Sequence, residues 1–574
     1  MLGRAAMTAR GRPQSPLPNS AFTPEAGAGA APELCGTLRI APVRMQTDPD
    51  LEHPRLDGRD ARLFPGITLA FVTLGDILIP LQRGRMVAER GAGRAPSYWC
   101  VIPQFGRVWR SPQDGSWARA AFPLMLVSDL ENHAHQGLAM FRYRQGRVGR
   151  LEFQFVQQTS PYRLQQHFIA WGAARAQWSD AGIADATTQR EEGRAELARR
   201  LPHQPWKDLV GGLPPGTLAG FGGPVHEKWR LQAALIRDGT LYYQDVPTPC
   251  GNYPYPLEMR FGVRSVMKSI GAPLALLRLA QVFGPYVLNL KIGDYVAGLD
   301  AKYRSIRFID AANMASGFGG TGSMQTHPND PRDGYLEGDY DAWYTARSHA
   351  AKVRQMARSL RPYPWGPGTV VRYRDQDFYV LGAAIDRFLK SVRGSQADLW
   401  DMLESEVLAP IGIAQAPAVR TREPGGRRGI VWLSAGYYPT LDDLGKIAIL
   451  YQNLGAAGSR QILHRGLTEE LLSARQALAQ SGDASLGGGT GAASGSDTGA
   501  LYRMGFHFTS YVAMSGRRHC LPTMWGAGES EVILYPSSLV SIRIAKAAYL
   551  PAGETAVSGA EPETIRAVDR LLPF

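Results

Sequence analysis

The segment LAMFRYRQGRVGRLEFQFV (138–156) constrains the fold most. Two alternating runs of apolar and polar residues meet at Gln145-Gly146, with Gly149 close behind. Period-two alternation interrupted by a glycine-containing turn prescribes a β-hairpin. Arg142 and Arg144 fall on one face of it and Phe141 and Tyr143 on the other, a solvated face against a packed one. The runs ITLAFVTL (67–74) and AFPLMLVSDL (121–130) are likewise short, apolar and bounded by turn signals. Residues 35–156 therefore read as a mostly β domain.

The rest of the chain differs in texture. Residues 1–34 are rich in Ala, Gly and Pro and read as a disordered leader. Residues 157–227 read as a helical and loop linker, with EEGRAELARRL (191–201) as its helix and LVGGLPPGTLAGFGG (209–223) as a boundary. A mixed α/β region spans 228–555 and opens with strands that turn at Asp238-Gly239. Within it, the Gly/Ser/Ala tract 481–500 cannot pack a core and reads as a flexible surface loop. Strands are expected over 505–514 and 531–550, the second broken at Pro536, and a C-terminal tail or helix over 556–574.

Composition sets the outer bounds. Of 574 residues, 44% are apolar and 20% charged, enough for a large core and unlike a disordered chain, a collagen or a coiled-coil rod. No run approaches the roughly 20 apolar residues of a membrane-spanning helix, so no transmembrane segment is expected. The first twenty residues carry arginines but no apolar stretch after them, so no secretory signal is evident and a cytoplasmic location is expected. Met7 offers a second start, and a misassigned start leaves export open. Lys and Arg number 63 against 51 Asp and Glu, but the basic residues are dispersed, so nucleic acid is not an expected partner. Cys35, Cys100, Cys250 and Cys520 lie far apart and read as packed thiols. His133 and His135, near Asp129 and Glu131, lack an evident third metal ligand and read as a surface hydrogen-bonding pair. Gly317, Gly319 and Gly320 lack the lysine of a phosphate loop.

Three segments carry chemistry. In Ser265-Val266-Met267-Lys268, before the apolar SIGAPLALLRLAQVFG, a serine and a lysine three apart share one helix face. A buried lysine next to a serine can help activate the hydroxyl for acyl transfer. Alone, the motif is weak and reads more readily as a helix cap with a solvent-facing lysine. In PWGPGTVVRYRDQDFYVLGAAIDRFLK (364–390), a turn at Pro367-Gly368 precedes Tyr373-Arg374-Asp375 and an amphipathic helix. A tyrosine and an acid two apart on a tight loop can point together into a cleft, where the phenol can carry a proton. In Trp525-Gly526-Ala527-Gly528, glycines let backbone approach a ligand closely. The strand end there and the Ser265 N–H together could form an oxyanion hole.

In this order the three segments resemble the serine beta-lactamase-like superfamily, in its branch of class C beta-lactamases, D-alanyl-D-alanine carboxypeptidases and serine esterases. SIRFIDAANMASGFG (305–319) and WLSAGYYPTLDDLGKIAILYQNLGAAGSRQIL (432–463) are similar to further blocks of that family. The resemblance covers roughly 228–555. It implies an α/β (α+β) catalytic domain with a central antiparallel sheet flanked by helices, here preceded by a mostly β domain. It also implies a covalent acyl-enzyme without metal or other cofactor. Ser265 would be the nucleophile, Lys268 its activating partner and Tyr373 the general base and then acid. Trp525, Gly526, Ala527 and Gly528 would contact substrate, and Tyr437 would either line the cleft or pack in the core.

Two departures matter. Asp375 stands where the family has Asn, and an ionised carboxylate accepts hydrogen bonds but cannot donate them. It would favour a protonated Lys268, an electrostatic partner of Tyr373 rather than a base. Trp525 stands where relatives carry Lys or His, so the cation that would grip a substrate carboxylate is missing unless an arginine such as Arg264 replaces it. An indole there suits an uncharged acyl or alcohol group. The expectation is therefore a serine hydrolase of small esters or amides, most of all carboxylic esters. A beta-lactamase or D-alanyl-D-alanine peptidase, and an inactive binding homologue, are the competing readings.

Overall fold

The structure is a computed structural model. It describes residues 13–88, 96–159, 161–299, 301–319, 337–363, 366–473, 501–547 and 563–574. The tract 481–500, Gly320 and residues 1–12 and 548–562 lie outside the described residues.

Two sheets organise a mixed α+β chain, β-rich in its N-terminal part. The first is antiparallel throughout and is built around Ala118–Val127, Ala134–Arg144, Leu151–Thr159 and Ile169–Ala174. The hairpin turns at Gln145 and Gly146, with φ of 48° and 71°. Positive φ at both positions suits the right-handed twist of the flanking strands.

Every residue of Ala118–Val127 is buried, because both faces of this strand are covered. Ala120, Phe122, Leu124 and Leu126 point into an interior filled with Phe71, Phe141, Phe153 and Phe155. Ala121, Met125 and Val127 point the other way, into the core of the C-terminal part. The apolar run AFPLMLV thus follows from burial on both faces, where a half-exposed strand would alternate.

The second sheet has eight strands and, among the described residues, is antiparallel except where His203–Pro205 pairs in parallel with Thr240–Tyr243. Helices flank it. Val266–Phe283, Asp375–Arg393 and Leu441–Gln452 pack on one side within the main core. Glu563–Leu571 covers the other side, burying Ile565 and Val568 against Leu235, Leu521 and Ile533. Val266–Phe283 alone among the described residues has the length and apolar composition of a membrane span, and most of it is buried inside the protein.

Three expectations need correction. Residues 13–34 are not a loose leader over their described length. Phe22 and Asn19 are fully buried, Asn19 Nδ2 donates to the Gly251 carbonyl at 2.8 Å, and Gln154 brackets the Leu17 backbone with two hydrogen bonds. The first sheet does not stop at 156, since Leu151–Thr159, Ile169–Ala174 and Ala176–Ser179 continue it into the expected linker. His133 and His135 are fully buried rather than on the surface, and burial holds both imidazoles well below their usual pKa.

Because the two parts share one core, Met125→Ala is expected to cost about 2–5 kcal/mol and to lower a single unfolding transition seen by calorimetry. Two separated transitions, only one of them shifted, would show that the parts fold independently.

Candidate active site

The candidate nucleophile lies at a forced bend. Arg264 has φ of 46°, a left-handed conformation that costs a non-glycine residue about 1–3 kcal/mol. It turns the chain from the segment 259–263 into the helix Val266–Phe283, with Ser265 at the N-cap position. Ser265 remains half-buried while the helix behind it is nearly all core.

Lys268, one turn on, is sealed from solvent. Its ammonium lies 2.6 Å from Ser265 Oγ, 2.6 Å from Asp375 Oδ1 and 2.9 Å from the Ser434 carbonyl oxygen. Burial, the largest influence, lowers the Lys268 pKa, but the Asp375 carboxylate and Tyr373 more than offset it and the net shift is upward. The upward shift keeps Lys268 protonated at neutral pH. Asp375 begins the helix Asp375–Arg393, and its second oxygen accepts a hydrogen bond from the Tyr340 hydroxyl at 2.6 Å.

The Tyr373 ring lies under the Lys268 ammonium, 4.7 Å from centroid to nitrogen. Its hydroxyl oxygen is buried beside Lys268 and Ser265. Burial raises its pKa above that of an ordinary phenol, with Lys268 pulling it back. The phenol is neutral at rest.

The opposite wall comes from the strand Arg518–Gly526 and its neighbour Phe506–Val512. A Cβ on Gly526 would lie 2.2 Å from the Val263 carbonyl oxygen and 3.3 Å from the Ser265 nitrogen. The strand end and the serine turn are therefore in direct contact, and only glycine fits. Ala527 is exposed in the turn that follows, and Gly528 has φ of 91°. Trp525 is half-buried, edge-on to His507 at 5.8 Å, and His507 in turn stacks on Tyr373 at 5.8 Å. Burial, helped by Lys268, pushes the His507 pKa down to about 4, so the imidazole is neutral at physiological pH.

The structure thus brings together Ser265, Lys268, Tyr373, Asp375 and Gly526, with Trp525 at the rim. It does not bring Tyr437 to the site. That side chain is fully buried against Trp400, and the segment contributes the Ser434 carbonyl instead. Arg264 does not replace the missing cation, since its guanidinium is buried, packs on Tyr162 and donates to the Pro161 carbonyl. His507, Tyr340 and Ser434 were not legible as site residues. Of these, His507 alone carried a signal, a polar residue between Phe506 and Phe508 on an expected strand.

No family model matches the chain, and no curated protein matches it. Solved structures similar to it at low identity include a protein provisionally described as a 6-aminohexanoate-dimer hydrolase from Bacillus anthracis. That one is 17% identical, with TM-score 0.42, covering 65% of this chain and 86% of that one. A penicillin-binding protein homologue from Pyrococcus abyssi is 15% identical, with TM-score 0.39, covering 59% and 73%. A family VIII carboxylesterase is 14% identical, with TM-score 0.36, covering 59% and 90%.

Gly526→Ala is expected to push the strand end off the serine turn. It should cost about 1–3 kcal/mol of stability and slow Ser265 acylation by about 10²-fold, read by labelling kinetics beside a thermal melt.

Proposed function

We propose that the protein is a serine hydrolase that cleaves small, uncharged carboxylic esters through an acyl-enzyme. The observation that carries this reading is the Lys268 ammonium held 2.6 Å from Ser265 Oγ by its ion pair with Asp375. In the proposed reaction Ser265 Oγ attacks the ester carbonyl carbon and its proton passes to Tyr373 Oη, present as phenolate in the reactive form. Lys268 stabilises that phenolate, which is why a buried cation between the two hydroxyls is useful. Charge on the carbonyl oxygen is met by the Ser265 N–H and the backbone after Gly526. Collapse breaks the bond to the alkoxide, which takes the proton from Tyr373. Water then repeats the sequence and releases the acid. Trp525, His507 and Tyr373 offer aromatic, uncharged surface to the substrate at neutral pH, which favours an ester over an acid-bearing beta-lactam or peptide.

Intact-protein mass spectrometry after exposure to p-nitrophenyl esters, nitrocefin and a fluorophosphonate tests the class. The expected result is a Ser265-dependent adduct, lost in Ser265→Ala, with turnover of esters and not of nitrocefin. Folded protein that no reagent labels would overturn the reading.

The raised Tyr373 pKa gives the sign of the pH dependence. The phenolate fraction grows as pH rises, so kcat/KM should increase by about tenfold per pH unit from 6 to 8, without a plateau near 7. A plateau already reached at neutral pH would assign the proton to a different base.

A further inference from the structure

The segment leading into Ser265 is held from outside the C-terminal part. Residues 260, 262 and 264 present alternate backbone groups to the first sheet. The Arg260 carbonyl accepts from Gln136 Nε2 at 2.9 Å, the Gly262 N–H donates to Thr159 Oγ1 at 2.9 Å, and the Arg264 N–H donates to Asn132 Oδ1 at 2.6 Å. On its other side, Phe261 N–H donates to the Pro439 carbonyl at 2.9 Å. Asn132 sits in the loop between Ala118–Val127 and Ala134–Arg144 and is 1% exposed. Its Nδ2 donates to the Tyr437 carbonyl at 2.9 Å. The Tyr438 hydroxyl points back into the same loop, within 2.8 Å of the Ser128 and Glu131 carbonyls.

One amide therefore spans two backbones that both end in the site. Arg264 precedes the nucleophile in a left-handed conformation, and Tyr437 lies three residues after Ser434, whose carbonyl holds Lys268. Remove the amide, and a buried N–H in a strained turn loses its acceptor. The bend that aims Ser265 then has one restraint fewer, as does its spacing from the carbonyl that receives Lys268.

We infer that Asn132, supplied by the N-terminal sheet, is a positioning residue for Ser265, clamping the Arg264 N–H and the Tyr437 carbonyl so that the N-terminal part completes the active site. This rests on the proposed hydrolase reading. Asn132 touches no reacting atom and acts through Arg264 and Tyr437.

The test compares Asn132→Ala, Asn132→Asp and Gln136→Ala in the full chain, the last removing a neighbouring bond across the same boundary. Fluorophosphonate labelling of Ser265 gives maximal rate and half-saturating concentration separately. Asn132→Ala should lower the maximal rate by about 10–100-fold, with half-saturation within about twofold and the melting temperature lowered no more than in Gln136→Ala. Asn132→Asp keeps an acceptor for the Arg264 N–H, and it should recover part of the rate and stand in should the alanine variant not fold. Gln136→Ala should label within about twofold of wild type. Hydrogen exchange over 262–266 should quicken in Asn132→Ala and not in Gln136→Ala. Wild-type labelling by Asn132→Ala, equal slowing in Gln136→Ala, or unchanged exchange over 262–266 would overturn the inference. Wild-type protein that is folded and not labelled would instead overturn the hydrolase reading, and the exchange result alone would then decide the clamp.

Discussion

The site depends on a buried charge kept charged. Desolvating an ammonium is costly, several kcal/mol even after relaxation, unless a counter-ion and hydrogen bonds replace its water. Lys268 has both, a carboxylate from Asp375 and oxygens from Ser265 and Ser434. Asp375 and Ser434 come from distant parts of the chain, so the fold must close before the cation is stable there. The Tyr340 hydroxyl on Asp375 extends the same network into a further helix. An asparagine at 375 would offer no charge, so the carboxylate is what holds the lysine charged.

The N-terminal sheet is part of that closure. Its central strands bury residues on both faces, and one face is continuous with the core around the helix Val266–Phe283. Gln136 and Thr159 tie residues 260 and 262 to the sheet, and of the three side chains Asn132 alone bonds the residue before the serine. A sheet that supplied stability alone would need apolar contact only. These directional bonds end at the residue before the serine.

What the sequence revealed was what short-range chemistry writes into it. Ser265 and Lys268 share a helix face because they are three apart, Tyr373 and Asp375, two apart, both reach Lys268, and the hairpin at Gln145-Gly146 follows from alternation and φ. What stayed hidden was long-range. Asn132 meets Arg264 across 132 residues, and no periodicity encodes that. His133 and His135 looked like surface groups because polarity suggests water, yet both lie fully buried at the start of the strand Ala134–Arg144. Ser-Ala-Gly-Tyr-Tyr (434–438) gave no basis for choosing which groups face the cleft, and the one that does is a main-chain carbonyl. Residues 13–34 looked structureless by composition, but Asn19 and Phe22 are enough to anchor them.

A second buried lysine in the same core shows what Asp375 does. Lys352 is as sealed as Lys268 and donates to the Trp343 and Tyr344 carbonyls at 2.9 Å each. Its ammonium lies 3.8 Å from the Trp432 ring centroid and 4.6 Å from that of Trp343. Carbonyls and aromatic faces favour a cation, but burial outweighs them and Asp375, which acts on Lys352 only from a distance, and the Lys352 pKa falls well below its usual value. Lys268, with a carboxylate at 2.6 Å, shifts the other way. Burial is common to both lysines, so it cannot decide the ionisation of either. The directly paired carboxylate does, and it keeps Lys268 charged beside Ser265 and Tyr373.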